Sequence, residues 1–189
     1  MNEEVIVPGG GHGYSTFMGY TILSAKALAG DMTRALADMR EYWGGMLDMG
    51  ATTFWEDFDI KWAENAFRID EVPVAGKKDV HGDFGAYCYV GFRHSLCHGW
   101  SAGPEAFCIE RILGIRQTDV GGKSFEVKPA LGNLAWAKGS IALPDGRALA
   151  VKAVKRADGT LDVAVDAPQG VAAAVSAEVC GHILRGTQS

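Results

Sequence analysis

The densest chemistry in the sequence lies in ATTFWEDFD, residues 51–59, where Phe54 and Trp55 run into Glu56, Asp57 and Asp59. Carboxylates beside aromatic side chains are what glycoside hydrolysis uses. One carboxyl protonates the leaving oxygen, and another activates water or attacks the sugar. Aromatic rings pack on the apolar face of a sugar and help place a carboxylate or raise its pKa. The same residues also suit a solvated acidic loop anchored by one tryptophan, and Asp57 or Asp59 could cap a following helix. Spacing alone leaves these readings open.

A second cluster is HSLCHGWSAGPEAF, residues 94–107. His94 and His98 stand four apart, which could set both on one helix face as metal ligands. No HExxH accompanies them, and the nearby Gly and Pro weaken a helix, so no metal is expected. Cys97 and His98 are sequence neighbours that point apart on most backbones, which argues against a thiol–imidazole dyad. His98 beside Trp100 would make a sugar-contacting pair. The plainer alternative is a histidine satisfied by backbone in a helix-entry turn. VPGGGHG, residues 7–13, lacks the GxxxxGK[ST] pattern and a surrounding strand–helix–strand unit, so it reads as a close-packed turn and not a phosphate loop.

Two amphipathic helices precede the acidic cluster. Residues 14–29 place Phe17, Tyr20, Ser24, Ala27 and Leu28 on one stripe. Gly30 stops that helix and Asp31 can cap the next. Residues 32–49 carry Met32, Ala35, Leu36, Met39, Tyr42, Trp43, Met46 and Leu47 at steps of three and four, and Gly50 ends the run. A short Gly-Asp turn between them makes an antiparallel helical hairpin. ATTFWEDFD then sits just past a helix end, where loops present functional residues on a rigid support. Residues 60–95 show no sustained period. Their aromatic content argues against disorder and for a functional lid. Residues 104–115 read as a third helix, with Pro104 at its start and Gly114 at its stop.

Composition shifts near residue 117. Four of the five tryptophans and all tyrosines and methionines come before it; Val, Ala and Gly in alternation come after. KSFEVKP, RALAVKAVKRA and TLDVAVDA have the period of strands, and LPDGR and ADGT are turns whose glycines accept positive φ. The pattern predicts a small antiparallel β-sandwich of five or six strands, with GNLAWAKGSIALPDG as a strand pair and Trp136 plugging the sandwich against the helices. Two modules follow: residues 1–116, largely helical, and residues 117–189, all β.

With 189 residues, 48% of them apolar and 22% charged, the chain can build a real core. A net charge of −5 without a basic run argues against nucleic acid as partner. No apolar stretch reaches the roughly 18 residues a bilayer span needs. The acidic N-terminus lacks the form of a signal peptide. A complete chain of this kind would be soluble and cytoplasmic, whereas a longer parent could be periplasmic or secreted. Cys88, Cys97, Cys108 and Cys180 fit no CxxC or zinc spacing and are expected as free buried thiols.

Taken in order, YWGGMLDMGATTFWEDFD, RHSLCHGWSAGPEAF, ERILGI and KSFEVKPALGNLAWAKGSIALPDG closely resemble the C-terminal part of bacterial α-L-rhamnosidases, inverting members of the six-hairpin glycosidases. The similarity runs over about residues 7–145. It implies a mixed α and β chain in which residues 1–116 are the last helical hairpins of an (α/α)₆ toroid and residues 117–189 an antiparallel β-sandwich. It implies Glu56 as the general base, His98 as a sugar-contacting histidine and Trp55 as part of the aromatic wall. The substrate class would be rhamnosides, with no cofactor. The family's general acid lies in an acidic motif upstream of the matched part, and no segment here matches it. A non-catalytic remnant that binds carbohydrate weakly is the competing reading; an unsaturated-glucuronyl hydrolase is a third, which lacks a match to HGWSAGP. An incomplete toroid would leave Met32, Leu36, Met39, Trp43 and Leu47 without neighbours on one side. Self-association through that face, or docking of a missing N-terminal part, is therefore expected.

Overall fold

The computed structural model describes residues 10–84, 94–176 and the backbone of 183–185. It divides into two compact units, Met1–Pro104 and Glu105–Ser189, a division ahead of the composition shift near residue 117.

The first unit is built on a helical hairpin, α1 (Gly19–Leu28) and α2 (Met32–Asp48). Gly30 makes the turn at φ +85°, a left-handed conformation that suits glycine. Asp31 does not cap α2 with its side chain; its carboxylate instead meets Arg34 one turn on, at 3.1 Å. The apolar period of α2 is realised almost as predicted, with Met32, Ala35, Leu36, Tyr42, Trp43 and Met46 buried. Gly50 ends the helix at φ +91°, and the Gly50 and Ala51 amides donate back to the Leu47 and Met46 carbonyls.

The face of α1 differs from expectation. Phe17 precedes the helix and is 62% exposed, and Leu28 is 73% exposed, while Gly19, Leu23, Ser24 and Lys26 are buried. Two contacts with α2 set this rotation. A Cβ at Gly19 would lie 2.3 Å from the Trp43 ring, so only glycine lets the helices approach there. Lys26, fully buried, ion-pairs with the equally buried Asp38, which also accepts a 2.7 Å hydrogen bond from the Tyr14 hydroxyl. Burial and the Asp38 carboxylate push the Tyr14 pKa well above the usual phenol range. The expected naked stripe on α2 is therefore covered: Met32, Leu36 and Trp43 are buried and Met39 is half-buried, which leaves Leu47 exposed.

After Gly50 the chain runs without regular structure to a 3₁₀ helix, Ile60–Asn65. Asp59 caps it by accepting from the Lys61 amide at 2.9 Å, the capping role open to it from sequence. Two short strands, β1 (Ala66–Phe67) and β2 (Lys78–Asp79), pair in parallel within the long Gly-rich stretch. The remainder of the expected lid, residues 85–93, lies outside the described residues.

The third helix, α3 (Gly103–Phe107), starts near Pro104 as expected but widens at once into a π turn, Cys108–Ile112. The Leu113 amide closes it onto the Cys108 carbonyl, five residues back, at 2.9 Å. Gly114 then turns at φ +65°. A Cβ there would sit 1.9 Å from the Lys128 carbonyl oxygen, so the helix stop is also a close backbone crossing.

The second unit carries two sheets. In one, β3 (Ile115–Gln117) pairs antiparallel with β4 (Ser124–Val127), and β8 (Ala172–Val175) joins β4 in parallel. In the other, β5 (Trp136–Ala142), β6 (Ala148–Lys155) and β7 (Leu161–Asp166) form an antiparallel meander, and β9 (Ile183–Arg185) joins β7 in parallel. The predicted turns are present, with Gly146 and Gly159 at φ +84° and +86°. Leu149, Val151, Ala153 and Val163 make the buried face of the meander. GNLAWAKGSIALPDG holds one strand, β5, and its partner is β6. Trp136 does not plug this unit: it sits on edge strand β5, 62% exposed. Of the cysteines, Cys97 is exposed and Cys108 half-buried, its thiol pKa raised by burial and by Glu105; Cys88 and Cys180 lie outside the described residues. Among the described residues no helix is long and apolar enough to cross a membrane.

Candidate active site

Residues 51–59 and residues 94–104 of the second cluster fall in the first unit, and the fold zips them together. The Glu56 amide donates to the Ser95 carbonyl and the His98 amide to the Phe54 carbonyl, each at 2.8 Å. The Thr53 hydroxyl donates to the Leu96 carbonyl. Residues 53–56 thus run beside residues 95–98, both segments bent and neither part of a sheet.

Trp55 and Glu56, adjacent in sequence, nevertheless have different surroundings. Trp55 points inward. It is fully buried, with its ring 5.7 Å from Phe58 in an edge-on contact, and Phe58 in turn packs on Tyr42 and Trp62. Its expected place in a wall facing the sugar is therefore corrected: Trp55 is the floor beneath the segment. Its Nε1–H is buried without a hydrogen-bond partner among the described residues.

Glu56 points the other way. Its Oε2 accepts from the Ser95 amide at 2.7 Å and lies 3.9 Å from His98 Nδ1. The first is a hydrogen bond; the second is a charge contact when the imidazole is protonated. The His98 ring lies 4.1 Å from that of Trp100, tilted by 45°. Trp100 in turn donates its indole N–H to the Glu56 carbonyl oxygen at 2.9 Å and meets the exposed ring of Phe17 at 5.6 Å. Glu56, His98 and Trp100 are thus brought together.

The other acids and histidines have separate surroundings. The Asp57 carboxylate turns back to accept from the Phe58 amide at 2.9 Å. Its charge, after burial, helps push the Tyr42 hydroxyl pKa up, and that hydroxyl donates to the Phe58 carbonyl at 2.6 Å. His94 does not share a site with His98. It is buried, 4.6 Å from the His81 ring and 5.8 Å from that of Trp62. Burial, then the neighbouring His81, lowers its pKa against the opposing pull of Asp57, Glu56 and Asp79, which favours a neutral imidazole. Among the described residues no three acidic, histidine or cysteine side chains gather as a metal site. Of the Gly-rich stretch, residues 7–9 lie outside the described residues; Gly10 and Gly11 pack on Glu41, and the Gly11 amide donates to its carboxylate at 2.8 Å.

Two partners of Glu56 were not visible beforehand. Ser95 acts through its backbone amide, which no side-chain pattern advertises. Thr16 donates its hydroxyl to the Glu56 carbonyl from 40 residues upstream. Chemically, the cluster offers a fixed carboxylate able to take a proton from water or a hydroxyl, an imidazole beside it, and an exposed indole face suited to a sugar ring.

No family model and no curated protein matches the chain. Solved structures do. A GH78 family rhamnosidase of Bacillus sp. GL1 aligns with 93% of this chain at a TM-score of 0.67 and 28% identity. The α-L-rhamnosidase from Dictyoglumus thermophilum aligns with 82% at 0.55 and 19% identity. The Streptomyces avermitilis α-L-rhamnosidase, complexed with L-rhamnose, aligns with 83% at 0.53 and 20% identity. At those lower identities the last two speak for the fold alone. The chain spans 16%, 15% and 14% of the three proteins' own lengths. The resemblance to α-L-rhamnosidases found in the sequence thus extends to the structure.

Proposed function

We propose that this chain is the C-terminal portion of a glycoside hydrolase that releases terminal α-L-rhamnose from glycosides or polysaccharides with inversion, and that Glu56 is its general base. The supporting observation is the setting of Glu56: a carboxylate oriented by the Ser95 amide, beside His98 and the open ring of Trp100, in a chain that aligns along nearly its whole length with a GH78 rhamnosidase. In this reading α1 and α2 form one of the last hairpins of an (α/α)₆ toroid, and the two sheets of the second unit are the β-sandwich that follows it. Glu56 takes a proton from the attacking water, His98 donates a hydrogen bond to a sugar hydroxyl, and Trp100 packs on the ring. Trp55 supports Glu56 from below.

An inverting enzyme needs a carboxylic acid on the opposite side of the sugar, about 6.5–9.5 Å from the base, to protonate the leaving oxygen. Neither neighbour of Glu56 suits: Asp57 is turned onto its own backbone and Asp59 caps the 3₁₀ helix. The acid is assigned to the part of the toroid outside this chain. The test follows the products. A parent protein supplying that part should release β-L-rhamnose as the first-formed anomer from an alkyl α-L-rhamnoside, seen by proton NMR. The 189-residue chain alone should be slower by about 10²–10⁴-fold, the usual contribution of acid catalysis. Release of the α anomer first would exclude inversion. Parent-like turnover by the chain alone, lost in Glu56→Gln, would mean that a local group serves as acid and that the division of labour proposed here is wrong.

A further inference from the structure

The Glu56 backbone is held more firmly than a surface loop requires. Its amide hydrogen is taken by the Ser95 carbonyl, and its carbonyl oxygen receives donors from two distant segments, the Thr16 hydroxyl and the Trp100 indole N–H. Thr16 is buried, although it sits in the turn before α1, among exposed neighbours Ser15 and Phe17. With the peptide groups on both sides of residue 56 tied down, the Cα–Cβ direction is fixed. The carboxylate then has its own rotamers to settle, and the Ser95 amide at 2.7 Å is one partner that holds them.

We infer that Thr16 and Trp100 are positioning residues for Glu56, clamping its carbonyl so that the carboxylate stays on the Ser95 amide. This rests on the reading of Glu56 as the working carboxylate. Removing the Thr16 hydroxyl takes away one of the carbonyl's two donors among the described residues and loosens the peptide between residues 56 and 57. The Ser95–Glu56 bond lengthens on average, and hydrogen bonds weaken steeply with distance and misalignment. Positioning of this kind matters because a misplacement of about 1 Å can cost about 10²-fold in rate.

The Ser95 amide resonance is a direct reporter, since its proton lies on the Glu56 carboxylate. In a pH titration of the ¹⁵N-labelled 189-residue chain, it should move as Glu56 ionises, and Glu56→Gln should abolish that movement. Thr16→Val, which keeps the shape and removes the donor, should reduce the movement by at least about twofold, and Thr16→Ser should restore it. Trp100→Phe, at an exposed position where an aromatic ring is kept, should reduce it similarly and carries the test if Thr16→Val does not fold. A folded Thr16→Val protein with the wild-type movement would overturn the inference. So would a Thr16→Ser protein as impaired as Thr16→Val, or a Ser95 amide indifferent to Glu56→Gln. Failure of the parent to cleave rhamnosides would remove the proposed function and leave this result standing; an intact Ser95 response in both donor variants would do the reverse.

Discussion

Glu56→Gln is expected to lower kcat for rhamnoside hydrolysis in the parent enzyme by about 10²-fold or more, with KM nearly unchanged. Glutamine has almost the volume of glutamate, and its amide oxygen can still accept from the Ser95 N–H, so the local fold should persist. What disappears is the proton acceptor and the negative charge facing His98 at 3.9 Å. A general base acts as water attacks, in the transition state and not in the ground state, so the loss falls on kcat. Initial rates across a substrate series separate the two constants. A variant that kept more than about a tenth of kcat would place the base on another residue, because loss of a general base costs about 10²-fold or more.

Asp38→Ala is expected to destabilise the helical unit by about 3–5 kcal/mol, the cost of leaving a buried charge without its partner. Lys26 is 0% and Asp38 2% exposed, and Tyr14 donates to the same carboxylate. Truncation therefore strands an ammonium and a phenol together between α1 and α2. Replacing both charges by apolar residues of similar size, Lys26→Met with Asp38→Leu, should recover most of the loss, since a paired charge and a hydrophobic pair are often nearly equivalent. Denaturant unfolding followed by tryptophan fluorescence measures both, because Trp43, Trp55, Trp62 and Trp100 all lie in this unit. A loss under about 1 kcal/mol for Asp38→Ala, the range of exposed pairs, would mean that water reaches the pair.

The same pair explains why α1 was misread. Sequence periodicity weighs apolar residues, and it put Phe17 and Leu28 on the inward stripe without Lys26. A lysine gains the inside when a carboxylate one helix away waits for it, a tertiary fact absent from any local window. Gly19 compounds this, because its value lies in what it lacks beside Trp43. On α2 no such pairing competes at the apolar positions, and the steps of three and four marked Met32, Leu36, Tyr42, Trp43 and Met46 as core. The DG turns and alternating strands of the second unit were legible for the same reason: glycine at positive φ and two-residue periodicity are local physics. The parallel additions of β8 and β9 are not, since they depend on long-range order of strands.

At the candidate site, Glu56 and His98 were singled out through the resemblance and Trp100 through its place beside His98, while the wall position that the resemblance implied for Trp55 does not match its full burial. An extended chain turns adjacent residues to opposite sides, a direction that composition does not carry, and here Trp55 is buried while Glu56 is half-exposed. That argument was available from the sequence once the stretch was taken as extended. Thr16 was not accessible at all: nothing in YSTFM marks one hydroxyl as the partner of a carbonyl 40 residues away.

The most direct test of the central claim, that the outward face of residues 54–56 and 95–100 is a sugar site, is an L-rhamnose titration of the ¹⁵N-labelled chain. Saturable shifts at millimolar sugar are expected at the Ser95 and His98 amides and the Trp100 indole N–H, with the buried Trp55 indole and the β5–β6–β7 meander unmoved. Shifts confined to residues 105–189, or a Trp55 indole that responds while Trp100 does not, would contradict it.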